Sequence, residues 1–566
     1  MADRARRVLA HEWTLAALAA LLISLFLNRG ALADPLHTLP QDIWDPSLVS
    51  YLIAWDGHAL LHEPANLWQT NTFYPAPYAL AYTDSLLAYA PAAFLGTGPE
   101  AAVLRYNILF ILAQALVLFG GYVLARQLGA GLIGAALAGV AVAVAPWRLA
   151  QAGHLQILSV GAMFLALAML ARGHGGRWRR REGEEVPIRP GWAIAGWLVA
   201  TWQLAVGFGV GLPFVYVLLG CLVVGVAVWA VRRRPLPSRR LLLVDGLGGL
   251  LFGAVAVLLA RPYLKVLELY PYTKRDASWV ALYSPPVSGL FTAPAESNLW
   301  GDAHAAARAQ LSIPGEMALL PGFFLYALAA AGLFFSIWPL VIRLALGVGA
   351  AATLIFSLGT QGPLDGHLGY LLLLNLPGFE GIRTPGRLML WATLLLALLA
   401  AGAVGALVDL TMAAARRSNQ DGRPPFWAGP ALLVPVVLVF VEGLGTTPHA
   451  VVPPAPPTLS TVAGPVLVLP TDQVGDMPVM LWSTDGFPLM VNGGSGVVPT
   501  EQDQLRRAAV RFPEPASVDS LRGAGIRTVV IVRSMVGDQA YQQFSTIPIQ
   551  GMTRDVHDDA VVFTLG

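Results

Sequence analysis

The sequence predicts a mainly α-helical membrane protein of many spans, with a smaller α/β domain at its carboxyl end. Hydrophobic residues make up 56% of the 566 residues, and charged residues make up 12%. Soluble domains carry about twice that share of charge. The mean hydropathy is +0.61. Long apolar runs recur up to residue 445 and then stop, so the membrane part is predicted to be 1–446 and the soluble part 447–566.

About eleven spans are predicted, because an α-helix needs about 20 apolar residues to cross a bilayer. In chain order the predicted spans are 12–28, 102–126, 130–146, 155–172, 191–207, 208–231, 241–260, 320–338, 340–357, 388–409 and 427–445. The single cysteine, Cys221, falls inside one of them, which excludes a disulfide framework and a cysteine-based metal site. It is predicted to be a small buried apolar side chain.

The orientation is predicted from clusters of arginine, since cytosolic loops carry an excess of positive charge. On the proposed count of spans, all the clusters fall on one side of the membrane. They contain Arg4, Arg6, Arg7, Arg177, Arg179, Arg180, Arg181, Arg232, Arg233, Arg234, Arg239, Arg240, Arg416 and Arg417. A patch that binds lipid or nucleic acid is the alternative reading of such clusters, and no nucleic-acid partner is expected.

This basic side is predicted to be the cytosol, in a multi-pass protein of the inner or plasma membrane with a cytoplasmic amino terminus. Ala31-Leu32-Ala33 resembles the end of a cleavable signal peptide, but an uncleaved anchor is expected because a long membrane domain follows. In either case the segments 29–101, 261–319 and 358–387 face outward, together with an extracytoplasmic carboxyl-terminal domain.

The carboxyl-terminal domain begins with a proline-rich stretch, His449 to Thr458, which predicts a stiff linker. Apolar runs after it predict three strands and two short helices. The strands are Pro465–Leu469, Thr528–Val532 and Ala560–Thr564, and the helices are Gln502–Phe512 and Val518–Ala524. The glycine-rich stretch from Leu489 to Gly496 lacks the lysine of a P-loop. It therefore predicts a tight turn, with a phosphate cradle as the alternative.

The first outer segment, Gln41 to Asp84, is too polar to span a bilayer and too aromatic to be a solvated linker, which indicates a site. Asp42 and Asp45 are three residues apart, so a helix would place both on one face. Either carboxylate can act as a general base or hold a divalent metal. Asp45 before Pro46 is equally typical of a helix N-cap.

Asp56 and His58 follow in the same segment and are predicted to be substrate ligands. The alternative places them on the surface of an amphipathic helix from Ser47 to Leu61 at the membrane interface. Trp55 beside them is predicted to stack on a sugar ring or to lie at the level of the lipid headgroups.

Three polar residues crowd the short outer turn between the third and fourth predicted spans, namely Arg148, His154 and Gln156. Arg148 is a cation on the side where arginine is scarce, so it predicts an anion ligand or a headgroup anchor. A lone histidine is more often structural. The cluster nevertheless makes His154 a candidate phosphate or substrate ligand, with Gln156 beside it.

Two further groups of cations lie in the predicted outer segments. Arg383 and Arg387 are four residues apart just before the tenth span. Their guanidinium forks suit a lipid-linked phosphate at the interface, and snorkelling toward the headgroups is the alternative. Lys274 and Arg275 can serve the same purpose from the segment before them.

Short motifs over nearly the whole chain carry a resemblance to a known family. They are Asp42-Ile-Trp-Asp-Pro46, Phe73-Tyr-Pro-Ala-Pro77, Tyr82-Thr-Asp84, Trp147-Arg-Leu-Ala-Gln-Ala-Gly-His-Leu-Gln156, Leu376-Pro-Gly-Phe379, Ile382-Arg-Thr-Pro-Gly-Arg387, Val491-Asn-Gly-Gly-Ser-Gly496 and Gly525-Ile-Arg-Thr-Val-Val530. With these motifs the chain resembles the bacterial GT-C superfamily of polytopic membrane glycosyltransferases. It looks most like the branch near YfhO-like and dolichyl-phosphate-mannose mannosyltransferase-like proteins.

That resemblance implies a GT-C-like fold and transfer of a sugar from a polyprenyl-phosphate donor to a glycan, lipid or protein acceptor on the outer face. It also implies that an aspartate of the first outer loop serves the reaction. Asp45 takes that role here, with Asp42 second, either as a base or through Mg²⁺ or Mn²⁺ bound at Asp45. Some protein mannosyltransferases have two adjacent acids where this loop has Asp-x-x-Asp, which leaves open which aspartate acts and whether a metal is needed.

Two other functions are weighed against this one. A transporter or flippase for a lipid-linked glycan would place acids and broken helices near the bilayer midplane, often within internal repeats. Here the ionisable residues cluster outside the spans, and no repeat is evident. A non-catalytic assembly protein would tolerate loss of the outer acids but would need the domain 449–566.

Overall fold

The computed structural model describes residues 11–179, 186–233, 237–418 and 428–566. Some arginines of the predicted cytosolic clusters lie outside these ranges, namely Arg4, Arg6, Arg7, Arg180, Arg181 and Arg234. Within the described ranges, six helices are long and apolar enough to cross a membrane. They are Gly98–Leu128, Leu155–Gly173, Phe208–Val231, Arg239–Leu269, Leu340–Ser357 and Pro385–Ala415.

Every predicted span contains a helix, and one more helix lies in the first outer segment. The helices are α1 (Glu12–Leu27), α2 (Asp45–His62), α3 (Gly98–Leu128), α4 (Leu132–Val144), α5 (Gly161–Gly173), α6 (Pro190–Leu204), α7 (Phe208–Val231), α8 (Arg239–Leu269), α9 (Phe323–Phe334), α10 (Leu340–Ser357), α11 (Met389–Ser418) and α12 (Ala428–Glu442). The predicted fold class is therefore confirmed. Helices α1, α4, α6, α9 and α12 are shorter than the apolar runs that predict them, because their ends become turns.

Helix α11 runs through the middle of the bundle, where it packs against α4, α9 and α10. In the most apolar 18-residue stretch of α11, 83% of the residues are buried, against 11% in the corresponding stretches of α7 and α8. Helices α7 and α8 therefore lie at the edge, with their side chains turned outward. Cys221 on α7 is exposed for this reason, so the prediction that it is buried is wrong.

Small residues let the inner helices approach closely, as is usual in membrane bundles. Gly161 at the start of α5 is an example, because a Cβ there would lie 2.5 Å from the carbonyl oxygen of Leu116 on α3.

Charged pairs at one end of the bundle belong to the predicted cytosolic side. Arg126 donates from Nε to Oε1 of Glu12 at 2.6 Å, and Arg179 donates to Asp409 at 2.7 Å. The predicted outer segments gather at the other end and contact one another. The two groups of segments are thus separated as the arginine pattern predicts, while the assignment of cytosol to one end stays a prediction.

The carboxyl-terminal part contains a four-stranded sheet in the order β3-β4-β6-β5. Its strands are β3 (Val466–Leu469), β4 (Thr528–Val532), β5 (Thr553–Val556) and β6 (Ala560–Thr564), and its helices are α13 (Asp476–Trp482), α14 (Thr500–Ala509), α15 (Pro515–Gly523) and α16 (Arg533–Thr546). Strand β3 runs parallel to β4, and the other pairs are antiparallel. The three predicted strands are present, whereas β5, α13 and α16 were not predicted.

A second, two-stranded sheet ties the first outer segment to the start of this domain. Strand β1 (Thr38–Pro40) pairs antiparallel with β2 (His449–Val451). The first three residues of the proline-rich stretch are therefore a strand, which corrects the prediction of a linker there. Proline has no amide proton to donate to a sheet. Strand β2 therefore occupies the residues of this stretch that precede its first proline, Pro453.

The first outer segment also adds to the edge of the four-stranded sheet. The amide N of Phe73 donates to the carbonyl of Asn492 at 3.2 Å, and that of Tyr74 donates to Met490 at 3.0 Å. In return Met490 donates to the carbonyl of Asn71 at 2.6 Å. On its other side the stretch from Met490 is bonded to β3, so it lies between the domain and the outer segment.

The glycine-rich stretch contains bends at Val491, Ser495 and Gly496 instead of the hydrogen-bonded tight turn that the sequence predicts, and two of its amide groups have partners. Gly493 donates from its amide N to Oδ2 of the buried Asp476 at 3.1 Å, and Gly494 donates to the sulfur of Met480 at 3.2 Å. Arg506 adds an ion pair to Asp476 at 3.0 Å. These contacts occupy two of the amide groups that a phosphate cradle would use, and the cradle stays an alternative.

Replacing Gly493 by alanine is expected to loosen this docking. A Cβ there would lie 2.5 Å from Cδ2 of Phe73, so the ring must shift, at a cost of about 1–3 kcal/mol. Hydrogen exchange of residues 71–74 should become faster. Gly523→Ala is the matched control, because a Cβ at Gly523 meets nothing within 4 Å. Equal exchange rates in the two variants would contradict this docking.

Candidate functional site

The carboxylate of Asp45 is available for contacts outside its own helix. Asp45 and Pro46 are the first two residues of α2, Trp44 is the N-cap, and no side chain caps the helix. The alternative that Asp45 is a helix cap is therefore wrong. Its Oδ2 lies 3.4 Å from Nε2 of His154, and the side chain is 44% exposed. An exposed acid beside an imidazole can accept a proton from a bound molecule.

Asp42 lies next to this acid but is held by the backbone. Its Oδ1 accepts a hydrogen bond from the amide N of Trp44 at 2.8 Å. Burial raises the pKa of the Asp42 carboxyl above its ordinary value, and the charge of Asp45 adds to the increase. The raised pKa favours Asp42 as a base, but the hydrogen bond from Trp44 leaves its carboxylate less free than that of Asp45 to reach a bound molecule.

Glu316 and Arg387 form an ion pair across the outer segments. Nη2 of Arg387 donates to Oε1 of Glu316 at 2.6 Å, and the side chains are 23% and 12% exposed. Gln151 donates to Oε2 of Glu316 at 3.2 Å. Burial alone would raise the pKa of Glu316, but the charges of Arg387 and His154 and the hydrogen bonds from Arg387 and Gln151 together hold the pKa below its ordinary value. Glu316 is therefore ionised at neutral pH.

Asp84 reaches the same arginine from the end of the first outer segment. Its Oδ1 accepts a hydrogen bond from the amide N of Gly209 at 2.9 Å, at the start of α7. Burial raises the pKa of Asp84, and the Gly209 amide and the charge of Arg387 oppose that increase. The charge of Arg387 also acts on Asp45.

Two ion pairs, together with the longer-range charge interactions of Arg387 with Asp45 and Asp84, define one group of charged side chains, the central cluster. It consists of Asp45, Asp84, His154, Glu316 and Arg387. Three of its members were predicted as site residues. Glu316 is not among the predicted site residues, and Asp84 enters the prediction only through the motif Tyr82-Thr-Asp84. The signal for Asp84 was its place in the acidic segment that contains Asp45.

A narrow apolar cleft opens beside Arg387. It lies between the start of α7, the start of α11 and the segment 370–388. Its lining includes Val210, Pro213, Tyr370, Phe379 and Trp391. Nε of Arg387 is buried and has no hydrogen-bond partner among the described residues. A cation at the mouth of an apolar cleft suits a molecule with an anionic head and a hydrocarbon tail.

Arg275 and Arg383, both predicted as phosphate ligands, lie close together. The guanidinium of Arg275 is 4.5 Å from the ring centre of Trp279, and that of Arg383 is 4.8 Å from the ring centre of Tyr283. Burial lowers the pKa of Arg275, and the like charge of Arg383 lowers it further. Neither has an ion-pair partner within the described ranges, so the pair attracts anions. Lys274 beside them is exposed.

Four other predicted ligands lie away from the central cluster. Asp56 is fully buried in the packing of α2, about 16 Å along the helix from Asp45. His58 stacks on His62 and on Phe487, with ring centres 4.8 and 4.3 Å apart. The site assignments of Asp56 and His58 are not supported, and neither is the alternative of an interfacial surface for Asp56. Asp56 faces inward and His58 is half-buried, because the segment 87–94 and helix α13 of the carboxyl-terminal domain both pack on α2.

Arg148 and Gln156 are the other two. Both are buried, at 5% and 7% exposure, and Arg148 donates from Nη2 to the carbonyl of Leu158 at 3.1 Å. No acid of the central cluster faces Arg148. The turn that carries these residues brings His154 and Gln151 to the cluster but directs Arg148 to another cavity.

The side chains around Asp42 and Asp45 supply few of the ligands that the predicted metal ion needs. Asp42 and Asp45 are neighbours, but no three His, Cys, Asp or Glu side chains converge on one point among the residues that the structure describes. The residues present do not by themselves form a complete Mg²⁺ or Mn²⁺ site, since such ions take about six oxygen ligands.

Comparison with solved structures identifies the fold. The arabinofuranosyltransferase AftD from Mycobacteria superposes with a TM-score of 0.50 and 17% identity, over 98% of this chain and 42% of its own chain. ArnT from Cupriavidus metallidurans bound to undecaprenyl phosphate gives a TM-score of 0.48 and 15% identity, covering 98% of both chains. AglB from Archaeoglobus fulgidus, in complex with an inhibitory peptide and a dolichol-phosphate, gives 0.43 and 13%, covering 93% and 70%.

No family model matches the chain, and no curated protein matches it. The fold assignment therefore rests on the AftD superposition, the one of these three with a TM-score of 0.50. It shows that the chain has a fold like that of AftD, which agrees with the fold that the resemblance implies. The chain spans less than half of AftD, so the likeness concerns only part of that protein.

Proposed function

We propose that this protein is a GT-C-type glycosyltransferase that moves a sugar from a polyprenyl-phosphate donor to an acceptor on the outer face of the cell membrane. The carrying observation is the central cluster, in which an exposed acid lies in one charged group with an arginine at the mouth of an apolar cleft. The AftD-like fold supports the class of enzyme, and the site supports the kind of donor.

Each part of such a donor has a matching feature. The hydrocarbon tail would lie against the apolar lining of the cleft between α7 and α11, which would have to widen because its volume is only about 10 Å³. The phosphate next to it fits the free Nε edge of Arg387, with Arg383 and Arg275 as a second cationic group near by. Since arginine binds phosphate oxygens through a planar fork, these residues would orient the donor and hold its leaving group.

The reaction then needs one base and one stabilised leaving group. Asp45 takes the proton from the acceptor hydroxyl. The oxygen of that hydroxyl then bonds to the anomeric carbon of the sugar. The bond from that carbon to the phosphate oxygen breaks, and the polyprenyl phosphate leaves with the electron pair. Arg387 stabilises the charge that grows on the phosphate. His154, 3.4 Å from Asp45, would hold the carboxylate in position.

A requirement for Mg²⁺ or Mn²⁺ at Asp45 with Asp42 stays a prediction. The two carboxylates would supply part of a coordination shell, and such a metal would polarise the donor phosphate. No step above depends on it. Transfer measured after dialysis against a chelator checks this prediction: activity lost and then restored by either ion would assign a metal to the pair.

The proposal is tested by incubating the purified full chain in membranes with labelled polyprenyl-phosphate sugars and acceptor extracts. We expect transfer of label from at least one donor. Retention of the label on every donor, by a protein that is shown to be folded, would favour the transporter or the assembly protein. Movement of intact donor between leaflets in the same vesicles would separate those two.

A further inference from the structure

A second polar cavity lies apart from the central cluster, at the same end of the bundle. It is enclosed by the ends of α1 and α4, by the middle of α3 and by the segment after α12. Polar and apolar side chains both line it, including Asn28, Phe110, Gln114, Arg148 and Thr447. None of its lining residues is acidic.

Arg148 enters this cavity without a counter-charge. Its side chain is 5% exposed, and one of its nitrogens, Nη2, donates to the carbonyl of Leu158. The other, Nη1, is buried and has no partner in the part of the chain that the structure describes. Burial lowers the pKa of Arg148 to about 10, which leaves the guanidinium charged at neutral pH. Besides that carbonyl, the guanidinium has only the Trp147 ring, whose centre is 5.7 Å away, and a buried cation without a counter-charge is costly, so an anion in this cavity would be favoured.

An uncharged hydrogen-bond donor, the side-chain amide of Gln114, faces the same cavity. Nδ2 of the buried Asn28 donates to Oε1 of Gln114 and to the carbonyl of Ser24 at 2.8 Å. The amide oxygen of Gln114 is thus occupied, and its NH₂ group remains as a donor. An anion in the cavity would meet a guanidinium and an amide, a combination that suits phosphate oxygens.

The surroundings of the cavity indicate that the anion belongs to a lipid. Leu27 of α1 lines it, and the neighbouring Phe26 is 54% exposed on the outside of the same helix. Leu22, one turn earlier, is 65% exposed. Acyl chains can therefore lie along α1 while the headgroup enters beside Arg148.

We propose that this cavity binds the phosphate group of an anionic membrane lipid, at a place separate from the donor site of the proposed transferase. The proposal does not depend on the transferase activity, because it rests on Arg148, Gln114 and the exposed face of α1. Arg148 then has the role of an anion ligand that the sequence predicts, but for a different molecule.

The test measures thermal unfolding of the full chain in nanodiscs of phosphatidylcholine with and without phosphatidylglycerol. We expect phosphatidylglycerol to raise the Tm of the wild-type protein, with an affinity at least about tenfold lower in Arg148→Gln. Glutamine leaves no buried charge, so Arg148→Gln should fold, although it loses the hydrogen bond from Nη2 to the Leu158 carbonyl. Gln114→Leu, which keeps Arg148, is a second variant and should weaken the lipid effect partially.

Arg29→Gln is the matched control. Arg29 lies at the same end of α1 but is exposed, with its guanidinium 5.2 Å from the ring centre of Phe26. Its loss removes the same charge outside the cavity and should leave the lipid effect in place. Inorganic phosphate is added in a separate arm, where it should protect much less than the lipid does. An unchanged lipid effect in Arg148→Gln would overturn the proposal, and so would equal protection by free phosphate.

Discussion

Asp45→Asn is expected to lower glycosyl transfer by about 10²- to 10⁴-fold, the usual contribution of a general base. The amide keeps the shape of the side chain but cannot accept the proton of the acceptor hydroxyl. Because Asp45 is 44% exposed and makes no capping hydrogen bond, its replacement should leave the fold intact. Transfer by the purified variant, with its Tm as the check on folding, gives the result.

Two neighbouring acids serve as controls for that experiment. Asp42→Asn should have a smaller effect, since the carboxylate of Asp42 already accepts a hydrogen bond from the amide N of Trp44 and is held away from the acceptor. Asp84→Asn should also retain transfer, because Asp84 caps the start of α7 through Gly209. Full activity in Asp45→Asn together with loss in Asp84→Asn would move the base from the first acid to the second.

The membrane part of the fold follows from composition, because long apolar runs have few alternatives to a helix in a bilayer. The position of Asp45 and Pro46 likewise predicts the start of α2. Which residues of α2 are buried was not predictable from the segment alone. One of the elements that cover it, helix α13, begins only at Asp476, far along the chain. Asp56 is buried for that reason, under the carboxyl-terminal part.

Long-range pairing accounts for most of what the sequence does not reveal about the site. Glu316 and Arg387 are 71 residues apart, and each alone is an ordinary outer-segment charge. Asp84 meets Gly209 across 125 residues. No local pattern fixes such pairs. The direction of Arg148 is also undetermined locally, because a one-residue change in a short 3₁₀ turn rotates a side chain by about 120°.

Glu316→Gln is expected to lower the free energy of unfolding by about 3–5 kcal/mol, the cost of leaving a mostly buried cation unpaired. Arg387→Gln should cost about as much and should also abolish transfer, because it removes the phosphate ligand. The double variant should be more stable than the sum of the single effects predicts. Thermal unfolding of the wild-type protein, the two single variants and the double variant gives the coupling free energy between Glu316 and Arg387.

The same pair predicts how pH and donor act on stability. The pKa of Glu316 is held below its ordinary value, so the contribution of the pair is complete at neutral pH and is lost as the pH falls through that lowered pKa. Glu316→Gln should lack this loss. It should also gain more Tm from a polyprenyl phosphate than the wild-type protein does, because the lipid phosphate then becomes the partner of Arg387. An equal gain in both would mean that the phosphate does not bind at Arg387.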